Sequence, residues 1–446
     1  MAETGTNKQN RILESFVTAD TKLPWLKYFA HFYTYICLYG LFIVNHGLLW
    51  SAGSTTYTYH LVDYGFGFLT KILPGAIFRL FFKNATMANV SAYETVLLLI
   101  AYAALSFFLA RLVAGIKEKK QRVSVFVLCM FFLSGPCSFG IFSEQLGMLD
   151  SYWFFFTLIF IAVIETKYLK YIIPCLVFLM ILVHFAAIIT YIILCCMILL
   201  YRAACARDKK EKAEYGVIFT VTVITAIAAF LYFVLCESSN VTMTMEEFDR
   251  EMLSRGEPDR PDNVYLRFYD FAFYREQAMH FADNDIVYGV TVDEIPVLSL
   301  PLPAPVLNIL NLLISQSFAN VKTKSEIAFK AFYIPFLLCL CLPLIAVSYS
   351  VLLKLLKSEK NKLKKFCYVL ALIQYPFCAF TGLMNSNDIT RFLAHSLIIH
   401  IAFLLYVLYK EEKARKILAE KVYGIDPRLG AAYFFVYMMS VAETYI

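Results

Sequence analysis

ETVLLLIAYAALSFFLARLVAGIKEKKQR, residues 94–122, sets the frame in which the rest of the chain is read. The run from Glu94 to Ile116 is dominated by apolar residues and stops on the basic cluster Lys117 to Arg122. A helix needs about 20 apolar residues to cross the hydrocarbon of a bilayer, and in lipid such a run must be helical to satisfy its own backbone. The cluster marks the cytoplasmic end. One span and its direction are predicted together.

Working outward, the 446 residues are 60% hydrophobic and 17% charged, with a mean hydropathy of +0.64. Soluble domains carry about 25% charged and ~45–50% apolar residues, so a water-bounded core cannot hide this excess. The expected fold class is all-α, a polytopic transmembrane bundle of about ten spans with every strongly basic loop on one side. The net charge of +6 follows from those loops and does not point to nucleic acid. Most of the twelve cysteines lie in apolar runs with no CxxC pair, so they read as small buried hydrophobes.

Residues 1–22 are polar, lack the pattern of a cleavable signal peptide and form a cytoplasmic N-terminal segment. A transmembrane module over 23–236 follows, with a first outer loop at 51–93. Within it, Phe66 to Phe82 mixes cations with aromatics and aliphatics, which predicts a helix lying in the interface. The stretch from Tyr171 to Tyr201 is too long for one straight crossing and has basic residues at both ends. Two short helices hinged near His184 to Ile189 satisfy that constraint, and broken helices are tolerated only where they line protein or a wet cavity. Residues 237–330 form a larger outer segment, 331–409 the C-terminal transmembrane helices, and 410–446 a cytoplasmic tail with one short apolar piece, Ala431 to Val441. No GxxxxGK[ST], no HExxH and no matched repeat of interrupted helices occurs, which argues against an ATP-driven pump.

Ionisable groups near membrane level are costly and mark candidate sites. The predicted topology puts Asp63, Glu144, Asp150, Asp388 and Arg391 at the outer helix ends. Together they offer acids to deprotonate a hydroxyl and an arginine fork to hold a phosphate. Each also has a plain structural reading. Asp150 and Asp388 suit helix caps, Arg391 suits a surface pair with Asp388 or a headgroup anchor, and Glu144 suits a solvated turn. His184 suits a core histidine. Asp63 has no basic residue within four positions and no cap pattern close behind it. In the outer segment, Arg267 and Arg275 are interleaved with aromatics in a strip that fits a sugar ring or a lipid headgroup, or equally a helix packed on the bundle.

VDYGFGF around Asp63, the acids Glu144 and Asp150, and DITR around Asp388 and Arg391, set among many spans and a large late loop, resemble the GT-C-fold membrane glycosyltransferases. The resemblance implies transfer of a sugar from a polyprenyl-phosphate carrier to a glycan or other acceptor, with inversion. Asp63 would take the acceptor proton while Arg391 steadies the departing lipid phosphate. Where that family has paired acids, this chain has Asp63 alone, which leaves the base and a divalent metal open. The implied partners are membrane lipid, the lipid-linked sugar and the acceptor, and the implied place is a bacterial plasma membrane in surface-glycan assembly. Two other readings stand beside it. One is a polysaccharide polymerase or flippase-like protein of the Wzy kind, relying on Arg267 and Arg275. The other is a secondary transporter with His184 as a proton site.

Overall fold

A computed structural model describes residues 23–44, 49–135, 139–236, 247, 250–251, 254–256, 286–287, 290–291, 324–384 and 389–440. Apart from one two-residue strand pairing, Ile286–Val287 with Val290–Thr291, the regular structure described is helical. The helices are α1 (Pro24–Leu38), α2 (Ser54–Leu61), α3 (Leu73–Phe78), α4 (Met87–Ala114), α5 (Lys119–Leu133), α6 (Gly140–Glu144), α7 (Leu149–Val163), α8 (Ile173–Val183), α9 (Tyr191–Ala204), α10 (Lys209–Cys236), α11 (Lys324–Ser358), α12 (Lys362–Met384), α13 (Ile389–Lys410), α14 (Glu412–Tyr423) and α15 (Pro427–Met439). Among the described residues, four segments are long and apolar enough to cross a membrane: Met87–Ala114, Lys209–Phe233, Cys339–Ser358 and Arg391–Lys410. These features fit a membrane protein. Of the four, the segment in α13 is the most enclosed and that in α10 the most exposed.

Local chemistry sets several helix starts. Pro24 opens α1, where its missing N–H costs nothing. Thr86 and Asn89 form a reciprocal capping box at α4, and Glu118 accepts from the amides of Lys120 and Gln121 at α5. Asp426 caps α15 ahead of Pro427. The stretch 173–204 breaks where its excess length predicts. His184 is extended (φ −169°, ψ 133°), its Nδ1 accepts the Ala186 amide, and a 3₁₀ segment Phe185–Ile189 separates α8 from α9.

The expected interfacial helix over 66–82 is not formed. In its place are a 3₁₀ turn, Tyr64–Phe66, and the six-residue α3, with residues 69–75 buried rather than lying on a lipid surface. Burial here comes from tertiary packing. The Lys71 amide bonds the Leu182 carbonyl at 3.0 Å, and a Cβ on Gly75 would come within 1.9 Å of the Val62 carbonyl oxygen. No disulfide joins the ten cysteines whose side chains are described.

Helices α7, α9 and α13 run parallel and are tied near both ends. At one end Asp150 meets Arg391 and Tyr191 meets His395, and at the other Tyr406 donates to Glu165 and Tyr201 to Glu411. The Asp63 loop lies at the Arg391 end, since Phe68 packs on Phe233 at the far end of α10 (ring centroids 5.4 Å).

Candidate functional site

Asp150 sits in the first turn of α7 but does not cap it, because Met148 holds the cap position and no side chain closes it. Its carboxylate is instead taken by α13. Arg391 donates from Nη2 to Oδ1 at 2.9 Å and from Nε to Oδ2, a two-pronged grip. His395, one turn further along α13, brings Nε2 to 3.0 Å from Oδ2. Its Nδ1 lies 3.0 Å from the Tyr191 hydroxyl. Asp150 is 2% and His395 1% exposed, so this charge is shielded from water and needs its partners. Among the described residues the carboxylate that Arg391 grips is Asp150, and the expected pairing with Asp388 falls outside them. Asp388 itself lies outside the described residues, as do Arg267 and Arg275.

The helix break stands beside this centre. Trp153 meets the His184 ring edge-on at 5.9 Å and donates from Nε1 to the Met180 carbonyl at 2.9 Å. The charges of Lys71, Arg391 and Asp150 all lie within electrostatic reach of His184. Lys71 adopts φ +70°, a left-handed conformation that costs a non-glycine residue about 1–2 kcal/mol. It is buried, and its amide is held by Leu182.

Asp63 belongs to a second group. Its Oδ2 accepts from Arg79 Nε at 2.9 Å and from Arg255 Nη1 at 3.0 Å, while Oδ1 accepts the Gly65 amide at 2.9 Å and caps the 3₁₀ turn. The expectation that no cap pattern follows Asp63 is therefore corrected, and its basic partners come from outside the four positions in which none was found. The partners lie 16 and 192 positions away, beyond any local reading. Arg255 also donates to the Leu61 carbonyl at 3.2 Å and stacks on the Phe66 ring at 4.6 Å.

Glu144 ends α6, and the solvated turn expected of it is not what forms. Its Oε2 is buried without a hydrogen-bond partner, and burial pushes the carboxyl up to about 8. Phe142, two residues earlier, packs against the His395 ring at 6.0 Å, so α6 borders the Asp150 centre.

A third group went unread in the sequence. His60, fully buried on α2, sits between the Thr56 carbonyl (2.7 Å from Nδ1) and Glu94 Oε1 (2.7 Å from Nε2), and Tyr152 donates to the same oxygen at 2.5 Å. A carbonyl only accepts, so Nδ1 carries a hydrogen. The available signal was Glu94 itself, a carboxylate at the start of an apolar run. Among the described residues no group of three or more His, Cys, Asp or Glu is placed to hold a metal ion.

Comparisons with protein-family models, curated proteins and solved structures return no match.

Proposed function

We propose that the chain is a multi-pass membrane glycosyltransferase that moves a sugar from a polyprenyl-phosphate carrier to an acceptor at the Arg391 end of the bundle. That end would face outward in a topology of about ten spans with both termini in the cytoplasm, as the basic loops direct. The observation that carries this reading is the Arg391 guanidinium, held in a fixed orientation by buried Asp150 and flanked by His395, with His184 and Lys71 close by. Fixed positive charge in a low-dielectric setting stabilises the charge that grows on a departing phosphate.

The resemblance assigns the base to Asp63. Both oxygens of Asp63 are already engaged by guanidinium or amide donors, so an acceptor hydroxyl would have to displace one of them to reach it. Glu144, with a partnerless oxygen and a carboxyl pushed up to about 8, is better matched to taking a proton near neutral pH. In this reading Glu144 is the base, Arg391 holds the phosphate, and Asp63 with its two arginines shapes the first loop.

The test is sugar transfer from a polyprenyl-phosphate-linked donor by the protein reconstituted in vesicles, comparing wild type with Asp63→Asn, Glu144→Gln and Arg391→Lys. Loss of transfer in Glu144→Gln and Arg391→Lys, with both still inserted and monodisperse, supports the assignment. Full activity in Arg391→Lys sinks it. Loss in Asp63→Asn with full activity in Glu144→Gln returns the base to Asp63.

The break at His184 favours one other reading, a proton-coupled transporter, because discontinuous helices at membrane depth line transport sites. Proton-coupled uptake that disappears in His184→Ala would select it.

A further inference from the structure

We propose that the cavity at the Lys410 end of the bundle is a binding site for a phosphate-bearing anionic headgroup. The cavity measures ≈ 570 Å³ and is formed where residues 204–207, 359–364 and 410–411 converge, so three distant segments of chain build it. Asn361 ties two of its walls through Nδ2 to the Ala204 carbonyl at 3.1 Å.

Its cations are positioned before any ligand arrives. Arg202 is held by Glu165 (3.2 Å) and Glu211 (2.7 Å), Lys410 by Glu165 (2.6 Å) and Lys364 by Glu411 (2.6 Å). Arg202 lies over the Tyr215 ring at 4.8 Å and Lys410 over Tyr409 at 4.9 Å. Burial works against charge on Glu165, yet the hydrogen bonds from Lys410 and Tyr406 hold its carboxyl below the usual range. Burial likewise opposes charge on Lys364, but Glu411 keeps its ammonium above the usual range. Glu165 and Lys364 therefore stay ionised at neutral pH.

Arg207 differs from the other three cations. Its backbone amide is anchored to Glu211 at 2.7 Å, while its side chain is exposed and makes no ion pair among the described residues. A guanidinium on a fixed stem, beside ammonium groups, is the donor set that recognises a phosphate. The segments that meet here carry the long basic runs Arg207 to Lys212, Lys357 to Lys365 and Lys410 to Lys416, so the surrounding field attracts an anion.

Two observations favour a lipid source. Lys410 rests on the half-exposed Tyr409, the pairing of cation and aromatic found where helices leave the bilayer. Arg391 and Lys410 lie on one helix at a separation of about 28 Å at ~1.5 Å per residue, close to the thickness of the hydrocarbon. A basic pocket between helix ends at that level suits a lipid phosphate. None of these residues belongs to the Asp150 centre, so the inference stands or falls apart from the glycosyl-transfer reading.

The experiment measures binding to the full chain in detergent by native mass spectrometry and by thermal shift. The probes are short-chain phosphatidic acid, short-chain phosphatidylcholine and inorganic phosphate, tested on wild type, Arg207→Gln and Ala206→Glu. Phosphatidic acid is expected to bind and raise Tm, with phosphatidylcholine well behind. Arg207→Gln should weaken binding by about tenfold, and Ala206→Glu, which adds a carboxylate to the lining, should abolish it. If inorganic phosphate reproduces the shift with the same sensitivity to both variants, the site stands and its ligand is free phosphate. Equal binding by wild type and Arg207→Gln, or no response to either anionic probe, overturns the proposal. Arg207 is exposed and unpaired, so its variant decides the matter even if Ala206→Glu fails to fold.

Discussion

Asp150 is the residue on which the Arg391 end depends, because its carboxylate is buried and its charge is balanced by one guanidinium, with an imidazole of the same helix beside it. Removing one member of a buried pair leaves the other uncompensated, which costs about 3–5 kcal/mol. Arg391→Ala should therefore lower stability by that order, read as a drop in Tm in detergent. Arg391→Lys keeps the charge but loses the two-pronged grip. It should retain most of the stability and lose transfer by about 10²–10³-fold if Arg391 stabilises the departing phosphate. Glu144 gives a pH test. Its carboxyl is raised by burial from 4.5 to about 8, so between those values the folded state holds a proton that the unfolded chain has released. Its contribution to stability is thus present at low pH and falls as pH rises through that window. Thermal unfolding from pH 5 to 8 should show a decline in wild type that is smaller in Glu144→Gln. An unchanged slope would show that the carboxyl is better solvated than its burial implies.

At the scale of elements, the turn between α6 and α7 is a tight joint packed against the His60 group. Gly147 has φ +74°, and a Cβ there would lie 2.5 Å from Glu94 Cγ and 2.6 Å from Thr56 Cγ2. Gly147→Ala should destabilise by about 1–3 kcal/mol through combined backbone strain and overpacking, measured by thermal or denaturant unfolding. Gly53, with open space around its Cβ position, should accept alanine without overpacking. What the sequence made legible at this scale was whatever depends on runs and lengths. The long apolar stretch at 94–116 is helical as far as Ala114, and the over-long stretch at 171–201 breaks near His184 because neither end could be moved. The loop at 66–82 was misread because alternating cations and apolar residues look the same on a surface helix and in a buried irregular segment. Which one forms depends on α8, whose Leu182 carbonyl engages the Lys71 amide. Candidate residues were legible as ionisable groups in expensive places. Their partners were not, since Asp63 with Arg255 and Asp150 with Arg391 are pairs that only the folded chain brings together.

For the whole molecule, the reading of about ten spans places every strongly basic loop on one face of the bilayer. Reporter fusions should then find both termini in the cytoplasm, and a cysteine placed at Lys357 or Lys209 should react only with reagents that reach that side. Labelling of either position from the outside would overturn the topology. The parallel set of α7, α9 and α13 also has a consequence in time. The bonds Asp150–Arg391, Glu165–Tyr406 and Tyr201–Glu411 join residues separated by 241, 241 and 210 positions. A ribosome adding about 5–20 residues per second takes on the order of ten seconds or more to make that interval. Throughout it the half-made protein carries the Asp150 carboxylate before its Arg391 counter-charge has been synthesised. Helices α7 and α9 therefore gain their ties to α13 late in synthesis, and a chain truncated before residue 391 would keep Asp150 without the guanidinium that balances it.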